Sequence, residues 1–244
     1  MSLYFLSGKG GVGKTHLSTS LSMHLAKAGR KTLLVEFSKL AQYSEYFAQE
    51  VGFEPVKIKK NFYVSSWTGL DCLSEYATKV LKSKHAANLF FKVPLMKKLS
   101  RVAPGLKEIA VLGKITSDYR DNEFKTDFDE IVFDCPASGH FLSMMRVPQS
   151  LSSLVGKGPM ARECASIQAA MSSNKNVHFA LIEDGAYFSE IELQESIAEL
   201  KFILNDKEIN IIENKSPKFP DIISDSWIYS ADKLSSYWEE FKWK

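Results

Sequence analysis

The residues best suited to chemistry lie near the start of this 244-residue chain, where residues 8–15 read GKGGVGKT. A glycine, four further residues and Gly-Lys-Thr form the pattern of a phosphate-binding loop, whose backbone N–H groups point inward at phosphate oxygens. In this pattern Lys14 reaches the β- and γ-phosphates, and the Thr15 hydroxyl is a ligand of Mg²⁺. The pattern therefore predicts a nucleotide site formed by Gly8, Gly10, Gly11, Val12, Gly13, Lys14 and Thr15.

The sequence on both sides of this loop has the form that such a loop requires. An apolar run over residues 3–6 precedes it and predicts a strand, while Leu17, Leu21 and Leu25 follow at helical spacing. The amino terminus of that helix adds the positive end of its dipole to the phosphate site. A glycine-rich turn with only a structural role is the alternative, but it would not need the lysine, the threonine and both flanking elements.

A second group of residues with chemical potential begins at position 130, where the sequence reads EIVFDCPASGH. An apolar strand that ends in Asp134 predicts a carboxylate that binds the water shell of Mg²⁺ beside the loop. We expect Pro136, Ser138 and Gly139 to form a tight turn in which a backbone N–H senses the γ-phosphate, with His140 directly after them. The alternative is that Asp134 only caps a turn.

Strand and helix patterns alternate along the rest of the chain. Strands are predicted at residues 31–37, 62–66, 130–133, 178–182 and 208–212, and helices at 70–81, 106–117, 160–171 and 189–204. Gly29 is expected to end the first helix, and Ser189 to cap the last of these. The alternation predicts an α/β fold, a doubly wound and mainly parallel sheet with helices on both faces, in one domain over residues 1–244.

Composition and charge indicate an ordinary globular protein. With 45% hydrophobic residues, 25% charged residues and a net charge of +2, no general attraction to nucleic acid is expected. The start of the chain lacks the pattern of a signal peptide, and no apolar run approaches the length of a membrane span. Cys72, Cys135 and Cys164 are isolated in the sequence, with no Cys-x-x-Cys pair. This spacing favours a cytoplasmic protein and argues against both a disulfide framework and a structural zinc site.

One segment is unusual in its charge. Residues 79–107 hold eight lysines and arginines and no Asp or Glu, interleaved with leucines and phenylalanines. It falls within residues 70–110, which we interpret as a short basic helical insertion. Two interpretations remain open: a basic amphipathic surface for a protein client or an anionic membrane surface, or a helical pair that packs its apolar stripe on the sheet. The second is the more common outcome.

The loop and the segment after Asp134 together resemble one class of ATPase. Lys9 is not needed by a generic phosphate-binding loop, and it resembles the extra lysine of the deviant P-loop in the ArsA, tail-anchored-protein targeting, Min and Par ATPases. Residues 134–148, DCPASGHFLSMMRVP, resemble the switch II signature of the ArsA group. Residues 104–108, PGLKE, resemble that group's Pro-Gly-x-x-Glu, and residues 61–73 resemble a strand and turn of the same group.

The resemblance implies an ArsA-like ATPase that binds ATP or ADP with Mg²⁺ and couples slow hydrolysis to a change in switch II. It implies that Lys9 crosses a nucleotide-dependent homodimer to the partner's nucleotide, although a solvated lysine is the alternative. It also implies that Asn214 reads the adenine, where a turn-forming asparagine is equally compatible with the sequence.

The chain departs from the group at several positions. Ser38 stands where the switch I aspartate positions the attacking water, so turnover should be slow unless Glu36 or Glu45 substitutes. His16 replaces a second threonine, yet its backbone N–H still serves the α-phosphate. There is no Cys-x-x-Cys for the zinc-clasped dimer, and no recognisable arsenite-binding cysteines. The three cysteines are therefore expected to be buried small apolar residues.

Two other functions compete with the ATPase. One is a nucleotide-binding switch or scaffold with little hydrolysis, which Ser38 favours. The other is a Min- or Par-like ATPase at the inner membrane surface, suggested by the basic segment and by the aromatic face of Leu234, Tyr237, Trp238 and Phe241. A final helix that docks this face on the core is the commoner structure.

Overall fold

The computed structural model describes residues 1–37, 42–80, 105–120, 125–184, 187–214 and 234–243. Three predicted features lie wholly or partly outside the described residues. They are the switch I position at Ser38, most of the basic segment (residues 81–104), and the turn after Asn214.

The described residues form one seven-stranded sheet with the order β3-β4-β2-β5-β1-β6-β7. All neighbouring strands are parallel except β3 and β4, which are antiparallel. The strands are β1 (Ser2–Gly8), β2 (Thr32–Phe37), β3 (Val56–Lys59), β4 (Phe62–Trp67), β5 (Glu130–Ala137), β6 (Val177–Glu183) and β7 (Ile209–Glu213). The predicted mainly parallel, doubly wound sheet is confirmed.

Helices cover both faces of this sheet. They are α1 (Lys14–Lys27), α2 (Gln42–Tyr46), α3 (Gly69–Val80), α4 (Leu106–Ile115), α5 (Ser138–Val155), α6 (Pro159–Ser173), α7 (Tyr187–Ile203) and α8 (Ser235–Glu240). A single turn of 3-10 helix follows α4 at Ser117–Tyr119. None of the described helices is both long enough and apolar enough to span a bilayer.

The central strands are buried on both faces, which explains their continuous apolar sequence. In β1, Leu3 and Phe5 pack into a core under α3 to α7, whereas Tyr4 and Leu6 pack into a second core under α1, α2 and α8. The first core centres on Phe5, whose ring stacks on Phe179 at 4.8 Å between ring centroids.

The structure corrects two sequence predictions and adds one strand. Pro136, Ser138 and Gly139 do not form a separate tight turn, because β5 continues to Ala137 and α5 begins at Ser138. Ser189 is not an N-cap, since α7 begins two residues earlier. The short strand β3 was not predicted, because its lysine-rich sequence alternates between half-buried and exposed positions at the sheet edge.

The C-terminal helix α8 packs against α1, and both helices cover the same face of the sheet. Leu234 and Trp238 are buried in the same core as Leu17 and Leu21. The Trp238 indole Nε1 donates a hydrogen bond to Ser20 Oγ at 3.0 Å. The aromatic face of the tail is therefore used inside the domain.

Candidate functional site

The phosphate-binding loop connects β1 to α1 at the carboxyl edge of the parallel strands, where ligands bind in open α/β sheets. At Gly8 the backbone has φ +155°, and an added Cβ would lie 2.3 Å from the carbonyl oxygen of Ile182. At Gly13 the φ of +86° is left-handed, a conformation that side chains disfavour. The loop thus needs glycine at these positions to adopt this conformation.

Lys14 lies folded across this loop. Its Nζ donates a hydrogen bond to the backbone carbonyl of Lys9 at 2.9 Å. Burial lowers the pKa of Lys14, and the nearby Asp134 carboxylate acts in the opposite direction. The ammonium group is therefore held near the loop backbone, where an incoming phosphate would offer it a stronger acceptor.

Asp134 lies on β5, three residues before the end of the strand, with only 8% of its surface exposed. Its Oδ1 accepts a hydrogen bond from Ser18 Oγ at 3.4 Å, and its Oδ2 accepts one from the Tyr43 hydroxyl at 3.2 Å. The Thr15 side chain also hydrogen-bonds this carboxylate. The structure therefore brings together the predicted metal residues Thr15 and Asp134, and adds Ser18 and Tyr43, which the sequence did not single out.

Desolvation raises the pKa of Asp134 from 3.8 to about 6, against the opposing effects of the Thr15 and Tyr43 hydrogen bonds and of Lys14. The folded state therefore binds a proton between about pH 4 and pH 6 that the unfolded state releases. It follows that the ionised Asp134 lowers the free energy of unfolding, and that this cost grows as the pH rises through that window.

We expect Asp134→Asn to stabilise the nucleotide-free protein at neutral pH by about 1 to 3 kcal/mol, since a raised pKa of this size has that equivalent. The gain should disappear near pH 4, where the wild-type carboxyl group is already protonated. Urea unfolding at both pH values measures it. The exposed Glu195→Gln is the matched control and should change little. Equal or lower stability of Asp134→Asn at both pH values would contradict the assignment of a destabilised carboxylate.

Glu36 is a second acid at the same edge. In the sheet register it lies beside Asp134 on β2, and only 4% of its surface is exposed. Its Oε1 accepts the backbone N–H of Tyr43 at 3.4 Å, and burial raises its pKa. Of the two acids considered as substitutes at switch I, Glu36 is therefore next to Asp134, whereas Glu45 is exposed on α2.

Asn214 follows β7 and contacts the loop directly. Its backbone N–H donates to the carbonyl of Glu183 at 2.7 Å, and its side-chain Nδ2 donates to the carbonyl of Val12 at 2.5 Å. The structure thus places the Asn214 side chain in contact with the backbone of the loop, a contact that the sequence did not predict. Its role toward adenine remains a prediction.

Most of the remaining predicted residues lie around the start of α5. The Ser7 hydroxyl donates to the carbonyl of Pro136 at 2.8 Å, which ties the end of β5 to β1. Ser138 lines a small cavity together with Gly8 and Lys9. His140 is exposed in the first turn of α5, with its Nε2 4.0 Å from Glu108 Oε1. His16 is half-buried in the first turn of α1.

Lys9 is exposed at the front of the loop and has a partner within its own chain. Its Nζ lies 2.9 Å from Glu192 Oε2 on α7, with 53% and 58% of the two side chains exposed. Such an exposed ion pair contributes little stability. Lys9 can therefore exchange this partner for another anion at low cost.

One of the three cysteines, Cys135, directly follows Asp134 on β5, whereas Cys72 and Cys164 lie on α3 and α6. Cys72, Cys135 and Cys164 are free and buried, and burial raises the pKa of each thiol. They are buried apolar residues, as expected from the sequence.

Similarity to known proteins extends over most of this chain. A family model described as anion-transporting ATPase (ArsA ATPase) matches residues 1–214, a range that contains every predicted site residue. An arsenical pump-driving ATPase of Escherichia coli is 26% identical over 188 residues, which are 75% of this chain and 31% of that protein.

Two further relatives belong to eukaryotes and show similar coverage of this chain. The ATPase GET3 of Malassezia globosa is 28% identical over 187 residues, which are 73% of this chain and 54% of that protein. The ATPase ARSA1 of Chlamydomonas reinhardtii is 30% identical over 196 residues, which are 71% of this chain and 25% of that protein. The chain therefore spans between about a quarter and about half of the length of these relatives.

Proposed function

Because this chain belongs to the anion-transporting ATPase family, we propose that it binds Mg²⁺-ATP at the loop between β1 and α1 and hydrolyses it slowly. One observation supports this most: a glycine-dependent loop, Lys14, Thr15 and a buried Asp134 converge at the carboxyl edge of the sheet. A structural turn would need neither the ammonium group folded over the loop nor a costly buried carboxylate beside it.

The residues fit the nucleotide and its metal. The loop N–H groups and the amino terminus of α1 would bind the phosphates, and the Lys14 ammonium would neutralise charge on the β- and γ-phosphates. Thr15 and Asp134 would hold Mg²⁺, the second through water. The metal would supply further neutralisation of charge on the phosphates.

Slow turnover is proposed because Ser38 replaces the switch I aspartate. The neighbouring carboxylate of Glu36 is available to orient a water, but burial raises its pKa and it already accepts the N–H of Tyr43. Positioning groups of this kind can change phosphoryl-transfer rates by several orders of magnitude. The experiment is phosphate release from Mg²⁺-ATP under single-turnover conditions. Release no faster than the uncatalysed rate would leave the nucleotide-binding switch as the function.

We further propose that two copies associate around nucleotide and that Lys9 then leaves Glu192 for the partner's phosphates. The exposure of both side chains and their low-cost pairing support this exchange.

Lys9→Ala should weaken the ATP-dependent dimer about tenfold, as expected for the loss of one charge-assisted hydrogen bond. Binding of ATP by the monomer should change much less. Sedimentation velocity with a non-hydrolysable ATP analogue measures the dimer affinity of the wild type and of the variant. Glu192→Gln is the control, because it removes only the resting partner of Lys9 and should leave the dimer intact. A Lys9→Ala dimer of unchanged affinity would contradict the exchange.

A further inference from the structure

Tyr43 is a buried tyrosine at the proposed metal site that neither the loop pattern nor the family resemblance explains. We propose that Tyr43 is a positioning residue for Mg²⁺ binding: its hydroxyl holds one oxygen of Asp134 so that the other faces α1. The inference rests on the proposed function, and it makes the metal site depend on the placement of α2.

The hydroxyl of Tyr43 is placed for this role and is not needed for packing. The residue is fully buried, and its ring packs edge-to-face on Phe47 with 5.5 Å between centroids. A phenylalanine would make the same apolar contacts. A buried hydroxyl is unfavourable unless it is hydrogen-bonded, and its acceptor here is Asp134 Oδ2 at 3.2 Å.

The two carboxylate oxygens of Asp134 therefore face different helices. Oδ2 faces α2 through Tyr43, while Oδ1 faces α1, where Ser18 donates to it. A carboxylate rotates easily about its last side-chain bond, because the preference at this torsion is broad. Fixing Oδ2 therefore keeps Oδ1 on the side of α1 that carries Thr15.

An orientation fixed before binding lowers the cost of binding. Carboxylates that serve metals are themselves hydrogen-bonded, and loss of such a partner commonly weakens metal affinity 10- to 100-fold. A free carboxylate would have to be ordered at the moment the metal binds, which reduces affinity.

Tyr43 also connects Asp134 to the neighbouring strand. Its backbone N–H donates to Glu36 Oε1 at 3.4 Å, so one residue contacts the paired acids of β2 and β5. Tyr43 belongs to α2, which begins four residues after the switch I position at Ser38. A displacement of α2 would therefore remove the hydrogen bond that orients Asp134.

The test is the Mg²⁺ dependence of ATP binding, measured by calorimetry with excess Mg²⁺ and with EDTA. For Tyr43→Phe we expect the affinity in EDTA to stay within about twofold of wild type. The gain in affinity that Mg²⁺ provides should fall about tenfold. Tyr119→Phe is the matched control, because its hydroxyl donates to the Met1 carbonyl at 3.0 Å, beside the start of β1. It should leave the Mg²⁺ dependence unchanged.

A double-mutant cycle with Asp134→Asn separates positioning from a general loss of stability. Tyr43→Phe should have no further effect on Mg²⁺ dependence when the carboxylate is absent. The inference is overturned if Tyr43→Phe keeps the full Mg²⁺ effect, or if it weakens binding equally in EDTA. Wild-type protein that binds no ATP in either buffer would instead overturn the proposed function itself.

Discussion

Replacing Lys14 by alanine should reduce Mg²⁺-ATP turnover by at least about a hundredfold, the cost of losing one preorganised charged donor to a transition state. The structure gives the reason, since the Lys14 ammonium is folded over the loop and donates to the backbone carbonyl of Lys9. A phosphate oxygen would replace that carbonyl as a stronger acceptor. Single-turnover phosphate release measures the effect.

Lys27→Ala is the control for this experiment, because Lys27 lies in the last turn of the same helix, away from the loop. It should keep wild-type turnover. Equal rates in wild type and Lys14→Ala would show that hydrolysis, if observed, does not occur at this loop.

Replacing Trp238 by alanine should lower the free energy of unfolding by about 3 to 5 kcal/mol, the usual cost of truncating a buried aromatic residue. Its indole is 5% exposed, packs beside Phe241 and Trp243, and donates to Ser20 on α1. Truncation therefore leaves a cavity and an unpaired buried hydroxyl. Urea unfolding gives the magnitude, with the exposed Lys242→Ala as a control.

Trp238→Ala also tests whether the aromatic face of the C-terminal helix binds a membrane surface. Leu234 and Trp238 are buried and so are not available to a membrane, and wild-type and Trp238→Ala protein should therefore float to the same extent with anionic liposomes. Little loss of stability in Trp238→Ala, combined with loss of flotation, would instead assign the tail to a membrane surface.

The positions of the loop and of Asp134 can be predicted from the sequence because each depends on the strand in its own stretch of chain. A buried parallel strand reads as a continuous apolar run, and the residues that follow it must lie at the carboxyl edge of the sheet. Leu6 and Asp134 are partners in the register of β1 and β5, which places the loop and the acid side by side.

The contacts that refine the site could not be predicted in this way. Tyr43 meets Asp134 across 91 positions of sequence, and Asn214 meets Val12 across 202. Periodicity contains no information about such pairs, since they depend on how α2 and the end of β7 pack. The start of α5 was misjudged for a local reason, because Pro136, Ser138 and Gly139 favour turns when read without tertiary context.

Calorimetric titration of Mg²⁺-ATP into the folded protein tests the central claim most directly. We expect one nucleotide per chain, with affinity that depends on Mg²⁺ and that falls strongly in Lys14→Ala. Absence of binding heat at several temperatures, with the protein shown to be folded, would contradict the claim that this loop is a nucleotide site.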